Sequence, residues 1–327
     1  MLIEKVNSQY PICRIPGLII TNMGTLIAYY ECRSSLSDWA EIDIKIIRSE
    51  DKGKTWETVT IIKGNGETLN NPVMFVQDDK IHLLFCKNYA GLYYSISEND
   101  GKTFSEFQNI SHFLEDIGFD YTVNAIGPGH GISHNGNLIV PIWFAYNKEE
   151  PEKHQPSFLR TLYSLDNGKS WNIGEEIGKG VLVNPSEAAM AVCENDMVLI
   201  SIRNENAEKS RAFAISKTGF SNWEELNLNK NMADPICQGS MFNTESEIYH
   251  INCNHSEERK NLTIKISQDR FKTFREITVN ELGGYSDIAV KGSEIFVIYE
   301  KDIFNPTEAE IRFETFKKIN NNPADSK

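Results

Sequence analysis

Arg14, Arg203 and Arg259, the carboxylates Asp38, Glu187 and Glu300, and the phenol of Tyr285 are side chains whose types could together do chemistry. A guanidinium keeps its charge and offers paired N–H donors, so three in one cleft would suit a ligand carboxylate. Neighbouring carboxyl groups could move protons, each such group typically contributing ~10²–10⁴-fold to a rate. A phenol beside a carboxylate could become a nucleophile. Taken singly, each charged residue is more simply a solvated loop charge, and Tyr285 a core or rim residue. They are spread from position 14 to position 300, so only the fold can assemble them.

The frame is legible as a repeat. The octapeptide Ser49-Glu50-Asp51-Lys52-Gly53-Lys54-Thr55-Trp56 recurs more loosely from Ser97, Ser164, Ser216 and Ser267. Recurrence roughly every 50 residues marks a repeat architecture. Alternating apolar runs flank tight polar turns near residues 22, 78, 135, 195, 244 and 292, the third being Asn135-Gly136, a strong hairpin dipeptide. Each of the first five hairpins is followed by a strand and a box, and a further strand can follow. Four short antiparallel strands per repeat make a propeller blade. The expectation is therefore an all-β, six-bladed β-propeller in one domain, residues 1–319, with a frayed tail at 320–327. The boxes read as staples, their Asp and Ser bonding nearby backbone N–H groups and Gly53 supplying a left-handed position.

In an up-and-down blade, the start of the first strand and the loop after the second lie on one face. Arg14, Glu187 and Tyr285 precede first strands. Asp38, Arg203, Arg259 and Glu300 follow second strands. All seven are predicted on one face near the axis, supplied by blades one, four, five and six, with the boxes on the opposite face.

The box pattern resembles the Asp-box repeat of bacterial sialidases (exo-α-neuraminidases), and the resemblance covers nearly the whole chain. Arg14-Ile15-Pro16 looks like the family's opening arginine motif, and Gly127-Pro128-Gly129 like a family loop. Arg33 and Asp38 look like the family's arginine and acid/base aspartate. Glu187 and Arg203 resemble the catalytic glutamate and second triad arginine, and Arg259 the third. Tyr285-Ser286-Asp287 and Tyr299-Glu300 resemble the nucleophilic tyrosine segment and the glutamate that steadies the first arginine. Cys13 replaces an aromatic residue and Cys32 interrupts a run of small ones. The resemblance implies retaining hydrolysis of terminal α-linked sialic acid through a covalent tyrosine intermediate, the stated exception to the two-carboxylate glycosidase rule. A carboxylate nucleophile would be repelled by the carboxylate on the anomeric carbon, whereas a neutral tyrosine can approach. Action on a related sugar acid (Kdn or Kdo) and silent sialic-acid binding are the rival readings. Arg33 could support Asp38 or pair with Glu31 or Glu41. Trp39, Phe119, Tyr121 and Trp143 are candidate walls of an N-acyl or aglycone pocket, and His130 reads as structural.

A net charge of −13 and a pI near 5.1 argue against nucleic acid and anionic membranes as partners. No apolar run approaches the ~18 residues of a membrane span. Met1–Val6 shows no basic segment leading into an apolar one, so the expected location is cytoplasmic. The six cysteines are far apart with no C-x-x-C pair, and read as buried free thiols. No metal or cofactor is expected; the expected partner is a sialic-acid-containing glycan or oligosaccharide.

Overall fold

The computed structural model describes residues 1–115, 117–305 and 307–318. The predicted tail at 320–327 lies outside the described residues, as does Asn320 at its start. Six antiparallel sheets stand in a ring, a six-bladed β-propeller. Blade one runs Ile12–Ile20, Leu26–Arg33, Ile42–Ser49 and Glu57–Ile62 from axis to rim. Blades four and five repeat that meander, from Ala188–Cys193 to Glu224–Ala233 and from Ser240–Asn243 to Arg275–Leu282. The described helical structure is two short 3₁₀ turns, and no described helix is long and apolar enough to cross a membrane.

Alternation makes the blades cohere. In Asn137–Ala145 of blade three, Trp143 packs toward Met190 and Val198 of blade four. Phe144, the next residue, packs toward Leu84 of blade two. Successive side chains of a strand point to opposite faces, so this second strand feeds two inter-blade cores.

Two features were not anticipated. Blade six has three strands from its own repeat, Ser286–Lys291, Glu294–Lys301 and Glu310–Lys317, and its outer strand is Leu2–Lys5 from the N-terminal end. The ring is thus closed by chain segments from both ends of the sequence. The inner strand of blade three is split: Val123–Ile126 and Ile132–His134 pair with different halves of Asn137–Ala145. Between them, Gly129–His130 pairs in parallel with Val73 and Met74 of blade two.

The boxes sit between third and fourth strands, as predicted. Ser49 Oγ donates to Asp51 at 2.8 Å and accepts from Gly53 N–H at 2.9 Å. Asp51 accepts from Thr55 N–H and hydroxyl at 2.9 and 2.7 Å. Those bonds, the backbone one first, hold the Asp51 carboxyl down at about 2. The same turn recurs at Ser164 and Ser267, and with Asn99 in the Asp place at Ser97. In the degenerate Ser216 copy, Thr218 bonds the N–H groups of Phe220 and Ser221 instead. The glycine missing from the Ser267 copy is replaced by Phe271 at φ +61, whose ring fills the core between blades four and five.

Candidate active site

The inner strand of blade one breaks where chemistry is expected. Its register against the second strand shifts between Arg14 and Gly17, and Ile15 takes a φ of +55°. A bulge re-aims side chains, and this one carries Arg14 to the axial cleft. Gly17 is required, because a Cβ there would lie 2.0 Å from the Tyr29 ring. Glu300, fully buried, fastens the segment. One of its oxygens accepts from Arg14 Nε at 3.1 Å and Ile15 N–H at 2.9 Å, and the other from Tyr285 N–H at 3.0 Å.

Glu187 and Arg203 lie just past facing strand ends in blade four and continue the ladder, with Arg203 N–H donating to Glu187 C=O at 3.0 Å. Their side chains meet Tyr285 across the axis. The Tyr285 hydroxyl donates to Glu187 Oε1, and Arg203 Nη1 donates to Glu187 Oε2. Arg203 Nη1 also reaches the Tyr285 oxygen at 2.9 Å. The guanidinium carbons of Arg14 and Arg259 lie 5.0 and 5.2 Å from the Tyr285 ring centroid. Burial, then the Glu187 carboxylate, raise the Tyr285 pKa above the usual phenol range, against the pull of the arginines. The phenol is therefore neutral at rest and already bonded to a carboxylate that can take its proton.

Asp38 enters from the loop after the second strand of blade one, 44% exposed, and accepts from Arg33 Nη1 at 2.7 Å. Arg14 Nη1 is 3.8 Å from the same oxygen. Burial raises the Asp38 pKa, but the two arginines outweigh it and hold the carboxyl below its ordinary value. Arg33, only 1% exposed, supports Asp38 and also pairs with fully buried Glu31, donating from Nε at 2.7 Å. Of the three partners left open by the sequence, Asp38 and Glu31 are engaged, whereas Glu41 accepts from Gly66 N–H at 2.9 Å. Glu31 also accepts from Asn71 N–H at 2.7 Å, tying blade one to blade two.

These groups line one cleft of about 700 Å³, open at its mouth. Arg14, Arg33, Asp38, Glu187, Arg203, Arg259 and Tyr285 all face it. Among the described residues, Arg14 Nη2 and Arg203 Nε have no hydrogen-bond partner. Buried guanidinium donors left open are costly unless an anion completes them, so the cleft can accept a negatively charged group. Among the described residues no group of three or more His, Cys, Asp or Glu is placed to hold a metal ion.

The proposed aromatic wall divides. Trp143 lines the cleft. Trp39 stands behind the wall, its ring centroid 5.0 Å from that of Tyr89, which does line it. Phe119 and Tyr121 do not belong to the cleft. They pack edge-on against Phe144, with ring centroids at 5.0 and 5.1 Å, on the blade-two side of the strand whose other face carries Trp143. Both lie in the loop before Val123–Ile126, which folds onto this core instead of the site. His130 is structural: its Nδ1 lies 2.7 Å from Asp287 Oδ1, and Asp287 also accepts from Leu18 N–H at 2.8 Å and from the Ser240 hydroxyl.

His154 was missed. Its ring sits 4.7 Å from Tyr89 and 5.3 Å from Trp143, with Nε2 unpartnered among the described residues, and it lines the cleft. Burial pushes its pKa down, so it is a neutral wall group. It follows Lys148-Glu149-Glu150-Pro151-Glu152-Lys153, which reads as a solvated loop, and no local pattern marks it out. Asn71, Tyr89, Asn184 and Glu205 also line the cleft and were likewise not singled out.

The family model described as BNR repeat-like domain matches residues 57–296. The chain is 27% identical to a sialidase of Bacteroides fragilis (strain YCH46), the match covering 90% of this chain and 61% of that protein. It is 24% identical to a sialidase of Paraclostridium sordellii, over 90% of this chain and 82% of the relative. Among solved structures, the Hadza microbial sialidase Hz136 superposes with a TM-score of 0.81 at 24% identity, covering 94% of this chain and 66% of that one. The chain therefore spans about three fifths of the Bacteroides protein's length.

Proposed function

We propose that this chain, which belongs to the BNR repeat-like domain family, is an exo-α-sialidase that removes terminal α-linked sialic acid from oligosaccharides or glycoconjugates with retention of configuration. The observation that carries this reading is the Tyr285 hydroxyl bonded to Glu187 with the guanidiniums of Arg14, Arg203 and Arg259 gathered around it. The sialidases of Bacteroides fragilis and Paraclostridium sordellii support it as relatives.

In this mechanism the substrate carboxylate lies on the three arginines. Glu187 takes the phenolic proton as the Tyr285 oxygen attacks the anomeric carbon, and Asp38 protonates the departing glycosidic oxygen. Asp38, now a carboxylate, takes a proton from water. That water attacks the anomeric carbon, and the Tyr285 oxygen leaves and recovers its proton from Glu187. Two inversions give net retention.

The test is turnover of a fluorogenic α-sialoside. Wild type should release the fluorophore, and Tyr285→Phe, which keeps the ring and loses the oxygen, should fall to background. Absence of wild-type turnover, or unchanged turnover in the variant, would contradict the reading.

A further inference from the structure

Cys13 and Cys32, both departures from the sequence pattern noted above, face each other. They are directly opposite on the first two strands of blade one, with their sulfurs 3.7 Å apart and both thiols free. Directly opposite residues of an antiparallel pair have Cα atoms about 4.5–5.5 Å apart, within the span of about 4.4–6.8 Å that a disulfide accepts. The sulfurs need only close to about 2.0 Å, with the strands still paired. The residues that follow them are Arg14 and Arg33, the two cations beside Asp38.

The cover over this pair is thin. Both cysteines are buried in the core between blades one and six, and Ile3 of the closing strand packs against that core. The strand, Leu2–Lys5, is exposed or half-buried along its length, and its register against Glu310–Lys317 slips between Leu2 and Glu4. So short an edge strand opens at lower cost than the blades themselves. While covered, the pair is protected: contact with Cys13, then burial, push the Cys32 thiol above its ordinary range. Hydrogen peroxide is small and uncharged, and needs only a local opening to reach it.

We propose that Cys13 and Cys32 are a dithiol oxidised by hydrogen peroxide, and that their disulfide draws Arg14 out of its place in the cleft. The first half stands on the thiol geometry, and the second rests on the sialidase reading above. One thiolate attacks a peroxide oxygen, the O–O bond breaks, and the product is a sulfenic acid and water. The second thiolate attacks the sulfenic sulfur, the S–S bond forms as the S–O bond breaks, and a second water leaves. The sulfurs give two electrons to the peroxide, and the two thiol protons end in the two waters. Arg33 resists the movement, because it lies on a regular strand and is paired with buried Glu31. Arg14 yields, because the ladder is already broken between it and Gly17.

The experiment treats the full chain with hydrogen peroxide, then combines a non-reducing peptide map with kinetics on a fluorogenic α-sialoside. The map should show Cys13 linked to Cys32 with the loss of two hydrogens. In the same sample kcat/KM should fall about tenfold, mainly through KM, because a small misplacement of a binding group is costly. Dithiothreitol should restore it. Cys32→Ala and Cys13→Ala should each match untreated wild type and keep that activity after peroxide. Unlinked peptides, or a link between Cys237 and Cys253 instead, would overturn the proposal. So would the predicted link with unchanged kinetics, or an equal peroxide loss in the two variants. The predicted link in a protein that turns over no sialoside when reduced would uphold the dithiol, and would sink the sialidase reading together with the effect on Arg14.

Discussion

Asp38 carries the sharpest tension among the site residues. As the proposed general acid it would have to hold a proton, yet Arg33 and Arg14 overcome burial and keep its carboxyl below the ordinary range. A substrate carboxylate on Arg14 would cancel part of that positive field and raise the Asp38 pKa where protonation is needed. The acid form is lost as pH rises through that value. We therefore expect kcat to have an acidic optimum and to fall on its alkaline side. Asp38→Asn should lose far more rate with an alkyl leaving group than with an activated aryl one, as pH–kcat profiles on the two substrates would show. Arg33 makes a different prediction. It is 1% exposed and its partner Glu31 is fully buried. Removing one member of a buried pair leaves an uncompensated charge and typically costs about 3–5 kcal/mol. Arg33→Met should show a loss of that order in urea denaturation, and a loss below about 1 kcal/mol would mean Glu31 finds another partner. The arginines, Glu187 and Tyr285 could be singled out because the family pattern and the up-and-down blade topology agreed on them. Phe119 and Tyr121 went wrong because their segment precedes an inner strand whose split the sequence does not announce. His154 was invisible because burial by Tyr89 and Trp143 is a long-range fact.

The elements divide the labour between two faces. Irregular backbone is used where chemistry is proposed: the Arg14–Gly17 bulge and the shift between Asn70 and Val73 both lie where inner strands reach the cleft. Regular staples hold the other face. Gly53 shows how a staple also packs one blade on the next, since a Cβ there would fall 2.2 Å from the Phe313 ring of blade six and its φ is +81°. Gly53→Ala should destabilise by about 1–3 kcal/mol through overpacking and backbone strain. Activity per folded molecule should be unchanged, measured as denaturation midpoint against fluorogenic turnover at a permissive temperature. A selective loss of activity at full stability would mean the boxes reach the site after all. This separation was legible from the sequence because the Ser-Asp-Gly spacing is local. The bulges were not, because they depend on contacts such as Gly17 with Tyr29.

At the scale of the whole molecule, the site is a consequence of ring closure. Blade one supplies Arg14, Arg33 and Asp38, blade four Glu187 and Arg203, blade five Arg259, and blade six Tyr285 and Glu300. Blade count and the face of each residue followed from counting hairpins. The closing strand, Leu2–Lys5, did not, because four residues carry too little pattern to declare a partner as distant as Glu310–Lys317. No single blade holds the proposed nucleophile, base and anion site together, so the atom proposed to bond to the sugar, the Tyr285 oxygen, is placed by the whole ring. The most direct measurement is intact-mass and peptide analysis after incubation with 3-fluorosialosyl fluoride, whose fluorine at C3 slows breakdown of a glycosyl intermediate. The account predicts one added fluorosialosyl group per chain, mapped to Tyr285 and absent in Tyr285→Phe. An adduct on Asp38 or Glu187, or steady turnover of the reagent with no adduct on any residue, would contradict it.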